Sequence, residues 1–318
     1  MEIAASRNSN APQKNKFLLL LSNLWKQRAL QMMVLPGVIW MIIFSYLPMV
    51  GIQIAFKDFK ITRPMSDARW VGFEHFIEFF NDDRFVNIMV NTLGISFMKL
   101  LLGFPLPIIF ALLLNELRSN KLKRITQTIS YLPHFLSWVV LGGILITWLS
   151  QSGVVNDLFI FLGISSERTS FLGKPEHFWF ISFISDSWKT MGWSAIIYLA
   201  AIASVDQEMY EAATIDGATR FQKVIHITLP SIMGTVAILL ILSVANMLNS
   251  NFDQIFILRN VLNESRSQVI DIYVYQMGMR AGRYSYATAI GLFKSVSAAI
   301  LLISANKISK KFLGRGIY

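Results

Sequence analysis

Cysteine is missing altogether, which removes disulfides, thiolate metal sites and cysteine nucleophiles together. Charge is scarce too. Asp, Glu, Lys and Arg make up 15% of the 318 residues, where a soluble domain would carry roughly a quarter. No Gly-x-x-x-x-Gly-Lys-Ser/Thr run occurs, so no phosphate-cradling loop is recognisable. His134, beside Pro133, has no cluster of further donors near it in the chain and reads as a polar helix-end residue, not a metal ligand. The N-terminal segment Met1–Arg28 lacks the small-residue cleavage site of a signal peptide.

What the chain does have is apolar length. Hydrophobic residues make up 54% of it, and the mean hydropathy is +0.49, the profile of one polytopic membrane domain. About twenty apolar residues cross a bilayer core, and stretches at about 30–56, 86–114, 125–149, 178–203, 228–250 and 287–305 qualify. Backbone groups in lipid must be satisfied internally, so an all-α bundle of six transmembrane helices is expected. Pro105 and Pro107 predict a kink or tilt in the second span. The expected organisation is a basic N-terminal segment over 1–28 with a short amphipathic helix at 17–28, a membrane domain over 29–306, and a basic tail over 307–318.

The net charge of +10 is unevenly spread. Lys and Arg gather before the first span, at Arg118, Lys121, Lys123 and Arg124, at Arg220 and Lys223, and at Lys307, Lys310, Lys311 and Arg315. The intervening loops are close to neutral. By the positive-inside rule both termini face the cytoplasm. The excess charge is therefore a topology signal, not a nucleic-acid footprint. Among the outer loops, 57–85 carries Trp70, Phe73, Phe76, Phe79 and Phe80, and 73–81 has helical apolar spacing. A short interfacial helix there is compatible with a docking surface.

The loop over about 205–230 is polar and inner-facing. Ser204-Val205-Asp206-Gln207 resembles a helix start, 206–215 are good helix formers, and Asp216-Gly217 breaks the helix. A second short helix over about 218–226 then meets Leu229-Pro230, where the next span begins. Ala212, Ala213, Gly217 and Ala218 leave a low-relief surface, with Glu211, Arg220 and Lys223 as charges around it.

Glu211-Ala212-Ala213, then three residues to Gly217, then nine to Ile227 and one to Leu229-Pro230, resembles the EAA loop of binding-protein-dependent ABC importer permeases. It lies between the fourth and fifth of six expected spans, on the expected side. Trp70-Val71-Gly72-Phe73-Glu74-His75-Phe76 and Asn91-Thr92-Leu93 are similar to the motifs that open the permease domain of sugar importers, so the resemblance covers about 70–305. The basic N-terminal extension and the ending Gly314-Arg315-Gly316-Ile317-Tyr318 resemble the oligosaccharide or polysaccharide subgroup.

The resemblance implies a type I (MetI-like) permease in a bacterial plasma (inner) membrane, itself no enzyme and without a cofactor. ATP and Mg would belong to a cytosolic ATPase dimer gripping Tyr210, Glu211, Ala212, Ala213, Asp216, Gly217, Ala218, Ile227, Leu229 and Pro230. It also implies a second homologous permease, in a heterodimer ahead of a homodimer, and an external solute-binding protein.

Ionisable residues inside spans mark a passage or a watery cavity. Lys99, Asp186, Lys189 and Lys294 qualify, with Asp186 and Lys189 expected to neutralise each other one turn apart. Trp188 and Trp193, and Asn246, Asn249, Asn251 and Asp253, supply aromatic faces and polar groups of the kind that hold sugars. Three cations against one acid fit an anionic, uronic-acid-type oligosaccharide, and neutral oligosaccharides stay open. Gly142-Gly143 is expected to let helices approach closely. A permease for a peptide or amino acid is the nearest alternative. An ion-coupled secondary transporter would need inverted repeats, and a membrane-embedded enzyme would need a catalytic group; neither shows in the chain.

Overall fold

The computed structural model describes residues 25–314 and 316. The chain falls into two units, one ending at Gln53 and one starting at Ile54. Most of the expected amphipathic helix at 17–28 lies outside the described residues. In the first unit α1 (Arg28–Met41) runs into a π turn, Ile42–Tyr46, and a tighter helical stretch beginning at Leu47. No side chain of α1 is buried.

The second unit opens with a two-strand ladder, β1 (Lys57–Asp58) against β2 (Arg69–Trp70), and the short helix α2 (Glu74–Phe80). The helix expected at 73–81 is thus present. The membrane-length elements follow. α3 (Phe85–Met98) continues through a π turn, Lys99–Gly103, into α4 (Pro105–Glu116). α5 (Asn120–Phe135) and α6 (Trp138–Trp148) come next, then a peripheral α7 (Val154–Phe161) and the long α8 (Phe178–Ala203). α9 (Gln207–Ile215) and α10 (Arg220–Lys223) form the polar hairpin, followed by α11 (Leu229–Ala245). Three short helices, α12 (Phe252–Leu258), α13 (Glu264–Ser267) and α14 (Ile270–Tyr275), lead to α15 (Tyr284–Leu313). α15 runs on through Lys310 and Lys311 before Gly314 ends it at φ +63°, so the expected tail over 307–318 begins as helix.

Three of the π turns end two residues before a proline, at Pro48, Pro105 and Pro230. Proline cannot donate the regular backbone bond and its ring crowds the preceding turn, so the helix widens by one residue there and continues. Hence Arg220–Ala245 is one helical run. The second loop helix does not stop before a new span at Leu229-Pro230, as the proline suggested. It flows into that span.

The single span expected over 125–149 is instead two helices bent by 100°. Pro133 sits in the last turn of α5, Leu136 is extended, and the Ser137 hydroxyl caps α6 by accepting from Val140 N at 3.3 Å. The apolar run after Ser137 carried the span reading across a break that Pro133 and Ser137 encode. Among the described residues four helical runs are long and apolar enough to cross a membrane: Arg28–Phe56, Phe85–Glu116, Arg220–Ala245 and Tyr284–Lys311. The bent pair makes five if it counts as one crossing.

α8 is the centre of the second unit. Phe178, Ile181, Ser182, Ser185, Lys189, Gly192, Ala195, Tyr198 and Ile202 form a buried stripe at three- and four-residue spacing. One end of α8 packs with Ile95, Leu172, Ile255 and Val269, and the other with Ala111, Val205 and Ile232. Lipid is as apolar as leucine, so such helices are held by close packing and polar contacts. A Cβ on Gly192 would lie 2.2 Å from the Ser130 carbonyl oxygen, which shows how closely α5 and α8 approach. Gly142 likewise admits Ile257, whereas Gly143 faces open space.

Candidate functional site

Two places on the second unit carry unusual polar chemistry. The first is a cleft of about 320 Å³ among α3, α4, α8 and α11. Lys99 enters it from the π turn ahead of Pro105. Its Nζ donates to Gln254 Oε1 at 2.8 Å and lies 3.5 Å from Asp186 Oδ2. The other Asp186 oxygen accepts from Asn251 Nδ2 at 3.0 Å. Asn251 holds φ +56° at the start of α12, a left-handed conformation that asparagine tolerates better than most side chains. Gln254 is fully buried, and its amide nitrogen donates to the Ser182 carbonyl at 2.7 Å and the Ser185 hydroxyl at 2.8 Å.

The expected Asp186–Lys189 neutralising pair does not form. Lys189, 8% exposed, gives its ammonium to three main-chain carbonyls at the bend: Pro133 at 3.2 Å, His134 at 2.8 Å and Leu136 at 2.5 Å. These acceptors close the end of α5, where the helix dipole is negative; the Pro133 carbonyl also accepts from the Leu136 N–H at 3.3 Å. A long side chain reaching another helix serves them better than one satisfying a carboxylate one turn away. The Trp138 ring lies 5.6 Å below the same ammonium. Lys189 therefore stabilises the bend and does not line the cleft.

Lys294 on α15 is also paired, with an acid that its position in an outer loop concealed. It forms an ion pair with Asp271 on α14 and donates to Asn249 Oδ1 at 2.6 Å. Asn249 lines both the first cleft and a neighbouring one of about 290 Å³ that contains Lys294 and Asp271. The expected surplus of three cations over one acid is thus smaller, because Asp271 joins Asp186.

The structure brings Lys99, Asp186, Asn246 and Asn249 to the first cleft and leaves Trp188, Lys189, Trp193 and Asp253 outside its lining. Trp193 stacks flat on His134, with centroids 4.5 Å apart. Trp188 leans on Trp148, and Asp253 is exposed on α12. Sequence reasoning missed the hydroxyl row Ser187, Thr190 and Ser194 on one face of α8, joined in the lining by Ser96, Tyr198 and Ser243. Its three- and four-residue spacing was the available signal.

The second place is the hairpin of α9 and α10. Asp206 caps α9 by accepting from Glu208 N at 3.0 Å. Gly217, at φ +75°, makes the turn, and Thr219 and Gln222 form a capping box for α10. Tyr210, Ile227 and Leu229 turn inward onto Ala111, Tyr198 and Ile232. The Tyr210 hydroxyl lies 2.8 Å from Thr228 Oγ1 in the third π turn, Val224–Thr228, and Lys223 Nζ donates to Thr214 Oγ1 at 2.7 Å. These contacts tie the hairpin to the foot of α11. Glu211, Ala212, Asp216, Gly217 and Pro230 remain exposed, and Ala213 and Ala218 are half-buried. Ile215, 87% exposed, and Phe221, 73% exposed, also stand out from the hairpin, and the sequence reading passed over them. Among the described residues no three His, Asp or Glu side chains group as a metal site.

Residues 103–313 match the family model described as binding-protein-dependent transport system inner membrane component. Protein LplB of Bacillus subtilis (strain 168) is 43% identical over 294 residues, covering 92% of each chain. The polygalacturonan/rhamnogalacturonan transport system permease protein YteP of the same organism is 41% identical over 307 residues, covering 96% of this chain and 95% of its own. The crystal structure of a bacterial alginate ABC transporter, in complex with an alginate pentasaccharide-bound periplasmic protein, contains a chain that superposes with TM-score 0.85. It is 39% identical, over 94% of this chain and 99% of that one. The chain belongs to the family of binding-protein-dependent transport system inner membrane components, multi-pass permeases of ABC transporters.

Proposed function

We propose that this chain is the membrane subunit of a bacterial inner-membrane importer for uronic-acid oligosaccharides, fed by an external solute-binding protein and driven by separate ATPase subunits. We count α8 and the bent pair as crossings beside the four long apolar runs, six in all. The clustering of Lys and Arg supports a cytoplasmic side for both termini and the α9–α10 hairpin. ATP and Mg belong to the partner ATPase dimer, and a second homologous permease completes the passage. The ATPases take hold of Glu211, Ala212, Ile215, Gly217 and Phe221, and their closure is transmitted through Tyr210 and Thr228 to α11.

The observation that carries the substrate reading is the first cleft, where the Lys99 ammonium stands among hydroxyl and amide groups. Hydroxyls and amides match sugar hydroxyls, and an ammonium suits a carboxylate. The names of two relatives, a polygalacturonan/rhamnogalacturonan permease and an alginate transporter, concern acidic polysaccharides and support it. A neutral oligosaccharide is the second reading, favoured by the pairing of Lys99 with Asp186 and of Lys294 with Asp271.

The test is reconstitution of the chain with its ATPase, second permease and binding protein in proteoliposomes, comparing uptake of an oligogalacturonate with that of a neutral oligosaccharide of equal length. ATP-dependent accumulation of the oligogalacturonate is expected. Accumulation of the neutral sugar alone refutes the anionic reading.

A further inference from the structure

A third cleft, of about 560 Å³, lies away from both places described above. It sits where α3 begins, between Arg84 and Asn87 on one side and Gln268, Gln276 and Arg280 on the other. α8 starts at this end of the bundle and finishes three residues before α9. Its 26 residues make a helix about 39 Å long between the two ends. On the topology proposed above, the cleft lies at the outer mouth. The volume is in the range of ligand clefts.

Its lining carries two arginines against one carboxylate. Glu264, the carboxylate in the lining, is already paired with Arg259 at 3.1 Å. Arg84 donates its backbone N–H to Asp82, and its charge acts on the same carboxylate from a distance. Neither its guanidinium nor that of Arg280 is ion-paired among the described residues, and both side chains are exposed. Arg280 lies 5.7 Å from the Tyr275 ring, which leaves its N–H fork free to bond outward.

The floor of the cleft adds an independent sign. Gln268 is 4% exposed, and its amide meets that of Gln276 at 2.6 Å. Turning the Gln276 amide lets its oxygen accept from the Arg259 guanidinium at 2.8 and 3.2 Å. Gln268 Oε1 is buried without a hydrogen-bond partner among the described residues. A buried polar end without a partner is costly, and a small shift of the Gln268 side chain toward the cleft would let a ligand hydroxyl satisfy it.

We infer that this cleft is a receiving site for a carboxylate-bearing sugar unit, with Arg84 and Arg280 as the anion grips and Asn87, Gln268 and Gln276 as hydroxyl partners. The inference rests on the anionic-substrate reading above. It places the first contact of the permease with an oligouronate at the outer mouth, before the chain reaches Lys99. Guanidinium forks match carboxylates with two parallel hydrogen bonds, so acidic sugars are favoured over neutral ones.

The experiment measures uptake by the complete importer in proteoliposomes, with an oligogalacturonate and its methyl-esterified neutral form as probes. It compares wild type with Arg84→Gln/Arg280→Gln. Binding of the oligogalacturonate to the purified importer without binding protein is titrated in parallel. The expected result is an apparent KM for the oligogalacturonate raised about tenfold at unchanged maximal rate, with matching loss of direct binding and an unaltered ester. An equal rise for the ester would show that the arginines dock the binding protein, overturning the inference. An unchanged KM and unchanged binding would also overturn it. Failure of wild type to take up the oligogalacturonate at all is the distinct result that removes the substrate reading itself. If the double variant does not assemble, Arg280→Gln alone, on an exposed turn, gives the same comparison.

Discussion

Lys99 and Asp186 meet across two helices, with Nζ 3.5 Å from Oδ2 and the side chains 18% and 22% exposed. Such a pair is retained less for its net energy than for the cost of breaking it, because one partner alone leaves an uncompensated charge inside the bundle. Lys99→Gln and Asp186→Asn should each destabilise the solubilised permease by roughly 2 kcal/mol or more. The double variant should recover part of that loss, with a coupling of at least about 1 kcal/mol. Thermal unfolding of the four proteins measures the cycle, and additive single losses would show that the contact is energetically idle.

Lys189 has a separate task. Its ammonium serves three carbonyls at the end of α5, so Lys189→Met should cost about 1–3 kcal/mol by leaving the half-buried His134 and Leu136 carbonyls without their donor. The loss should appear locally. Hydrogen exchange at Ser137–Val140, where the chain turns through 100°, should rise more than in α11. A uniform rise across both helices would refute a role specific to the bend.

Much of this was legible in the chain, and the boundary of legibility is physical. The Asp216-Gly217 break, the helix at Glu74–Phe80 and the close approach at Gly142 follow from local backbone and steric rules. The partners of Asp186, Lys189 and Lys294 do not. Local spacing places Asp186 beside Lys189, but the bonds made by these groups join helices distant in sequence, as Lys99 and Gln254 do. Gln254 and Asp271 were missed because each sits in a stretch that reads as an outer loop, whereas α12 and α14 fold back into the bundle. The motif at Glu211 marked the hairpin by residue type, while the exposure of Ile215 and Phe221 required the fold.

Two glycines separate close packing from mere helix composition. Gly192→Ala drives a Cβ to 2.2 Å from the Ser130 carbonyl, and main chain cannot swing aside as a flexible side chain can. A destabilisation of about 1–3 kcal/mol is expected. Gly143→Ala meets nothing within 4 Å and should leave stability unchanged or raise it by up to about 1 kcal/mol. The order of the two melting temperatures checks the packing of α5 on α8.

Asp82, in the turn between α2 and α3, supplies a pH dependence. Burial pushes its carboxyl upward, but hydrogen bonds from the Tyr273 and Tyr286 hydroxyls and the Arg84 backbone N–H, helped by the Arg84 charge, outweigh it. The folded-state value therefore lies below the ordinary carboxylate one. A depressed carboxylate stabilises the fold above its unfolded-state pKa, and that stability is lost as pH falls through the folded-state value. Asp82→Asn should flatten the acid limb of the stability curve and lower stability at neutral pH. Identical acid limbs for the two proteins would refute the assignment.

The hairpin makes the sharpest functional prediction. Gly217 holds φ +75°, where a β-branched side chain costs about 1–3 kcal/mol in backbone strain, although nothing crowds its missing Cβ. Gly217→Val should therefore leave the spans inserted and α11 intact, while the α9–α10 turn opens and the exposed Ala212, Ile215 and Phe221 change their relative placement. ATPase subunits that take hold of those residues should copurify less, or hydrolyse ATP without transport. Gly217→Asn, which tolerates the left-handed conformation, should retain most uptake. Parallel loss in both variants would point to the side chain itself as the obstacle. Full uptake in Gly217→Val would show that the turn is not the handle on which the ATPases act.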